Sequence, residues 1–256
     1  MTALREYRRQ QRRLVSLNEY DKVLTHSNQT RELLIKSGLD EQRIRRIRFG
    51  VKREWSEPAL SPREVPAWDE DFQLLFVGRF ETEKGGQVLL ESLPSLQQAL
   101  GRRLTLNFVG GGPAESNWRS RAESITRQSQ GLTVQFTGWA DRPALAQHFL
   151  RAHLLVIPSL WPEPFGMVGL EAAEFGVPTV AFDVGGICEW LKDGVNGVMA
   201  SSEPPSAYSL TSALVRALED KQRYKTLRRG AEDERRKWSM EKHVDELFLE
   251  FERLVA

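Results

Sequence analysis

From residue 72 onward, short apolar runs alternate with amphipathic stretches at a regular spacing. Gln73–Val77, Leu104–Val109, Leu132–Phe136, Leu154–Ile157 and Thr179–Phe182 have the length and apolar density of buried strands. Gly86–Leu100, Glu115–Gln128, Pro143–Arg151 and the segment from Gly166 carry helical spacing between them, the first despite Pro94. Strands alternating with helices in this way predict βαβ units, and so an α/β fold with a doubly wound parallel sheet. Such a sheet binds ligands beyond the carboxyl ends of its strands, which directs attention to the loops after Val77, Val109, Phe136, Ile157 and Phe182.

The chain before residue 72 reads differently. A short strand at Lys22–Thr25, a helix from Ser27 to Lys36, a stop at Gly38 and a strand over Ile44–Phe49 ending at Gly50 make about one further βα unit. Ser56–Glu70, with Pro58, Pro62 and Pro66, reads as a linker, and Ala207–Ala256 as charged helix. The 256 residues exceed one ordinary domain. With 36 basic and 35 acidic residues the net charge is +1, so no global charge draws the chain to nucleic acid. Locally, residues 1–53 hold 14 Lys plus Arg against 6 Asp plus Glu, and Arg5, Arg8, Arg9, Arg12 and Arg13 share one helix. That helix is a solvated face or a contact for an anionic membrane surface; no aromatic platform for nucleic acid is interleaved with it. Cys188 stands alone, which excludes an internal disulfide framework and points to a reducing cytoplasm. No apolar run approaches the ~20 residues of a spanning helix, and neither a secretory signal nor a membrane span is expected.

Three loops have the residue types for chemistry. Gly78–Gly86 follows a strand and precedes a helix; its glycines let backbone N–H groups approach an anion, and Arg79 and Lys84 add two mobile positive charges, which suits a diphosphate. It is neither a Walker loop nor the dinucleotide Gly-x-Gly-x-x-Gly. Gly110–Pro113 offers a close backbone approach after the next strand. In Pro158–Glu171, three prolines stiffen a connection that becomes a helix near Gly166, with Glu163 before that helix and Glu171 inside it. A helix N-terminus favours phosphate, and a carboxylate takes two hydrogen bonds from adjacent sugar hydroxyls. Together these features describe a pocket for a sugar nucleotide.

Taken in order, Gly-Arg-x4-Lys-Gly at 78–85, Phe-Thr-Gly at 136–138, Pro-Ser-x3-Glu-Pro-Phe-Gly-x4-Glu-Ala at 158–172, Phe-Gly-Val-Pro-Thr-Val-Ala at 175–181 and Gly-Gly-x2-Glu at 185–189 resemble the donor-binding half of the retaining GT-B glycosyltransferases of family 4. The resemblance implies a Rossmann-like donor domain over residues 72–237, a remnant of an N-terminal acceptor domain over 1–55, a linker over 56–71 and a C-terminal crossing helix over 238–256. It implies transfer of a sugar from a nucleoside-diphosphate sugar, with retained anomeric configuration, to a sugar, lipid-linked or small-molecule acceptor. Arg79 and Lys84 would grip the donor diphosphate and, with Glu163, carry catalysis. Glu163 would contact sugar hydroxyls, helped by backbone N–H groups at Phe165, Gly166, Met167 and Val168. Glu171 would hold the ribose, while Gly78 and Gly138 complete the donor site. No metal or other cofactor is implied, because the two cations and the helix N-terminus stabilise the leaving diphosphate. The family's N-terminal glycine-rich loop and active-site histidine have no counterpart here. A second expectation is therefore a fragment that binds nucleotide sugar without turnover, in the cytoplasm or peripheral to a membrane.

The remaining candidates are assigned structural roles. Asp69-Glu-Asp71 has the Asp-x-Asp form of a metal site but precedes its strand. His26, His148, His153 and His243 lack metal-ligand spacing and are expected on the surface or satisfied in the core. Cys188 is expected to pack, and Trp139 to lie in a core or interface more than over a nucleobase. A nicotinamide oxidoreductase is disfavoured by the absent glycine fingerprint.

Overall fold

The computed structural model describes residues 3–51, 68 and 71–255. Its first part comprises α1 (Ala3–Leu17), β1 (Val23–Thr25), α2 (Asn28–Lys36) and β2 (Ile44–Arg46). β1 and β2 pair in parallel, Val23 opposite Ile44. Ser27 starts α2 by accepting from the backbone N–H of Thr30, as serine at an N-cap does. β2 is shorter than the predicted Ile44–Phe49. Beyond Ile47 the backbone finds other partners: the Arg48 N–H donates to Glu246, and the Val51 N–H to the carbonyl of Trp238.

The larger part holds β3 (Phe72–Val77), α3 (Gly86–Leu100), β4 (Leu104–Val109), α4 (Glu115–Gln128), β5 (Leu132–Gly138), α5 (Arg142–Arg151), β6 (Leu154–Ile157), α6 (Met167–Glu174), β7 (Thr179–Phe182) and β8 (Gly197–Ala200). The helices α7 (Ala207–Leu218), α8 (Lys221–Arg235) and α9 (Met240–Val255) follow. All six strands run parallel in the order β5-β4-β3-β6-β7-β8. This is the α/β, Rossmann-like, doubly wound arrangement, and its order reverses between β3 and β6. β8 was not anticipated; its four-residue apolar run between Asn196 and Ser201 is short enough to pass for a turn.

Side-chain alternation splits the core between the two faces of the sheet. Leu74, Phe76, Leu106, Phe108, Leu154 and Val156 pack with residues of α3, α4 and α7 such as Leu89, Trp118 and Leu214. Leu75, Val109, Leu155 and Ile157 point the other way, toward Phe149 of α5, Leu170 of α6, Trp190 and Trp238. Apolar residues on both faces explain why these strands read as continuous apolar runs rather than alternating ones.

α9 returns to the first part of the chain. Glu250 pairs with Arg45, Glu246 with Arg48, and His243 Nδ1 donates to the Arg48 carbonyl at 2.6 Å. The predicted linker lies outside the described residues apart from Asp71 and Trp68, the latter packing edge-on against Phe72. No described helix is long and apolar enough to cross a membrane.

Candidate functional site

A cavity of about 240 Å³ opens where the strand order reverses, between the loops after β3 and β6. The ends of the two strands, Phe76–Val77 and Val156–Ile157, form its floor, and Gly78, Arg79, Lys84, Ser159, Glu163, Gly166, Met167 and Val168 its walls. Seven residues predicted from two separate stretches of sequence therefore share one space.

Two close backbone contacts set this geometry. Thr82–Lys84 forms a single 3-10 turn that ends at Gly85, in the left-handed region at φ 69°. A Cβ at Gly85 would lie 1.8 Å from the carbonyl oxygen of Pro158, and the Leu160 N–H donates to the Glu83 carbonyl at 2.8 Å. Only glycine lets the two loops approach so closely. The interlock brings Lys84 Nζ to 2.6 Å from Glu163 Oε1, with both side chains largely withdrawn from solvent. Opposite, the 3-10 turn Gly185–Glu189 backs the Glu163 loop: the Gly186 N–H donates to the Glu163 carbonyl at 2.6 Å, and a Cβ at Gly185 would meet that carbonyl at 2.1 Å.

Ser159 was quoted in the motif without a role. It is buried, and its hydroxyl donates to the same Oε1 of Glu163 that Lys84 holds. Two donors on one oxygen fix the carboxylate's orientation, and Oε2 is its second acceptor. The Pro-Ser dipeptide at a strand's carboxyl end was the available signal. Arg79 differs from Lys84: it pairs with Glu81 at 2.9 Å but is three-quarters exposed, a mobile cation at the cavity mouth. α6 begins at Gly166, in the left-handed region at φ 76°, without a side-chain cap, so its first backbone N–H groups remain available where the helix meets the cavity.

Three predicted donor residues depart from this group. Phe165 is buried, stacked on Phe49 at 5.4 Å and edge-on to Trp238, so its ring belongs to the core. Its carbonyl accepts from the Trp190 indole at 2.7 Å. Gly138 ends β5, two strands away from β3, and its carbonyl accepts from the Gly110 N–H. Glu171 lies one helical turn beyond Met167 and does not line the cavity. Burial pushes its carboxyl above the ordinary glutamate range, opposed by the positive charge of Arg142.

The structural assignments divide as well. His153 is fully buried in the core and accepts at Nδ1 from the Gln73 N–H at 3.0 Å. His26 is half-buried against Phe49; desolvation holds it below the ordinary histidine range. Asp71 pairs with Arg103, whereas Asp69 and Glu70 lie outside the described residues. Among the described residues no cluster of His, Cys, Asp and Glu could hold a metal ion. Trp139 is 83% exposed rather than in the core, because it stands past the end of β5, where no helix covers it. Cys188 is likewise exposed rather than packed: the turn directs its thiol back to the Gly185 carbonyl at the surface.

Comparison with known proteins agrees with this geometry. The chain is 31% identical over 223 residues to D-inositol 3-phosphate glycosyltransferase 1 of Catenulispora acidiphila, covering 82% of this chain and 52% of that protein. It is 34% identical over 178 residues to a glycogen synthase of Mycobacterium tuberculosis, covering 68% of this chain and 39% of the other. The chain spans about half, or less, of the curated relatives it matches. Among solved structures, Anabaena Alr3699/HepE in complex with UDP and glucose superposes with a TM-score of 0.77 at 22% identity, over 95% of this chain and 67% of that one. A sucrose-phosphate synthase of Thermosynechococcus elongatus superposes with a TM-score of 0.74 at 24% identity, over 95% and 61%. The model of the family described as glycosyl transferases group 1 matches residues 61–234, which takes in every cavity residue and both interlocking loops, and the chain belongs to that family.

Proposed function

We propose that this chain forms the donor half of a retaining glycosyltransferase of family 4, which takes a nucleoside-diphosphate sugar and passes its sugar to an acceptor. The observation that carries this reading is the meeting of Lys84, Arg79, Glu163 and the start of α6 in one cavity at the switch point of the sheet. The diphosphate lies against the α6 N-terminus, with Lys84 and Arg79 neutralising the charge that grows on it as the glycosidic bond breaks. Glu163 accepts from sugar hydroxyls through Oε2. At about 240 Å³ the cavity is below the ~300–1,000 Å³ of small-molecule sites, so it houses one portion of the donor. The nucleoside extends along the rim of α6 toward Glu171, whose carboxylate takes the ribose hydroxyls. The cations supply the charge that a divalent metal supplies elsewhere, so binding persists in a chelator. UDP-glucose is the first donor to try, because the superposed Anabaena protein was captured with UDP and glucose.

Calorimetry with UDP-glucose tests the reading. Lys84→Ala removes a charge-assisted contact worth about 1.5–3 kcal/mol and leaves Glu163 facing the diphosphate, so donor affinity falls at least about tenfold. Unchanged affinity overturns the assignment. A second reading is binding of a nucleotide sugar without turnover; product formation by this chain alone excludes it. The exposed arginines of α1 are assigned to an anionic membrane surface, and vesicle flotation that ignores anionic lipid ends that assignment.

A further inference from the structure

The Gly185–Glu189 turn ends on a glutamate for which the donor cavity has no use. Glu189 has only 11% of its side chain exposed, and both carboxylate oxygens reach into the first part of the chain. Oε1 accepts from the backbone N–H of Asn28, the first residue of α2, at 2.6 Å, and Oε2 lies 3.3 Å from Arg46 Nη1 at the end of β2. A helix N-terminus has unpaired N–H groups and a partial positive charge, so a carboxylate is the group it holds best.

On both sides of Glu189 the same turn is fixed to the donor loop. Gly186 binds the Glu163 carbonyl, and the indole of Trp190, the residue after Glu189, binds the Phe165 carbonyl at 2.7 Å. The Trp190 ring also lies against α6, where a Cβ at Gly169 would approach it to 2.0 Å. The turn is thus a short piece whose Glu189 reaches the α2–β2 unit while Gly186 before it and Trp190 after it hold the loop that carries Glu163 and Phe165.

We propose that Glu189 is a positioning residue: its contacts with Asn28 and Arg46 brace the loop that presents Glu163, so that cutting those contacts loosens the loop. Its consequence for donor binding rests on the reading of the cavity given above, whereas the mechanical link stands apart from any ligand. Hydrogen exchange on the full chain, compared between wild type, Glu189→Ala, Glu189→Gln and Arg31→Ala, tests that link. Losing a charge-assisted contact raises exchange across residues 158–168 by about tenfold in Glu189→Ala. Glu189→Gln keeps an acceptor for the Asn28 N–H but loses the charge, so its effect is smaller. Arg31→Ala breaks the Arg31–Glu41 pair inside the first unit without touching Glu189, and leaves residues 158–168 unchanged. The Trp190 indole N–H resonance shifts in Glu189→Ala and not in Arg31→Ala. Should Glu189→Ala fail to fold, Glu189→Gln decides by the same readouts. Faster exchange confined to residues 23–50, with the 158–168 loop and the Trp190 indole unchanged, overturns the proposal. UDP-glucose calorimetry is the second arm: weaker binding by Glu189→Ala extends the link to the donor. A wild type that binds no nucleotide sugar ends the donor reading, while exchange still decides the link.

Discussion

β6 and β7 are buried at every residue, with helices against both faces of the sheet, whereas β1 is only partly buried and β2 has one buried residue of three. Both pairs are parallel, and both come from a strand–helix–strand sequence. The difference lies in what covers them. The larger sheet closes two apolar clusters, while Val15, Tyr20 and Leu33 of the first unit and Phe248 and Phe251 of α9 remain mostly exposed. The joint between the regions is largely ionic, through Arg45–Glu250, Arg48–Glu246 and Arg46–Glu189, with Phe49 on Phe165 as an apolar contact. Each of these pairs has its arginine side chain exposed to solvent, which weakens it, so a parallel topology is held most firmly where side chains fill the space above and below it.

Three substitutions sharpen this contrast. Phe108→Ala empties a site that is fully buried among Phe76, Phe80, Trp118 and Phe136. It should cost about 3–5 kcal/mol, read from denaturant unfolding; a loss as small as that of a surface change would break the contrast. Ser27→Ala removes the cap of α2, where the hydroxyl accepts from the Thr30 N–H at 3.2 Å. It should cost about 1 kcal/mol and appear as faster amide exchange in α2 alone, with the six-stranded sheet unaffected. The smallest effect concerns pH. Because burial raises the carboxyl of Glu171, the folded chain holds that proton more tightly than the unfolded one. The stabilisation from protonation is complete below the ordinary glutamate range and is lost as pH rises through the higher folded value. Glu171→Gln should therefore melt slightly higher than wild type at pH 7, with the gap closing in acid. A gap that stays constant with pH would show that the carboxylate pays no desolvation cost.

The parallel sheet and the two loops that line the cavity were legible because each has a local cause. Apolar runs of strand length, a glycine or proline directly after β3, β4 and β6, and helical spacing between the runs are properties of neighbouring residues, so Val77–Gly78 and Ile157–Pro158 could be placed without coordinates. What escaped depends on contacts between distant segments. Nothing beside Phe165 in the chain says that its ring stacks on Phe49, and nothing beside Trp139 says that no helix reaches it. Ser159 escaped for another reason: a serine after a proline is ordinary in a turn, and only the way the loop folds Glu163 back onto it four residues later gives its hydroxyl a task. Glu171 was placed on the right helix, but its distance from the cavity depends on where that helix starts, which Gly166 sets.

The contact of Gly85 with the Pro158 carbonyl has a consequence for engineering. The segments after β3 and β6 fit each other like two teeth of one gear, so neither can be exchanged for a homologous segment on its own. A chimera intended to change donor preference should retain its fold only when both segments come from the same parent.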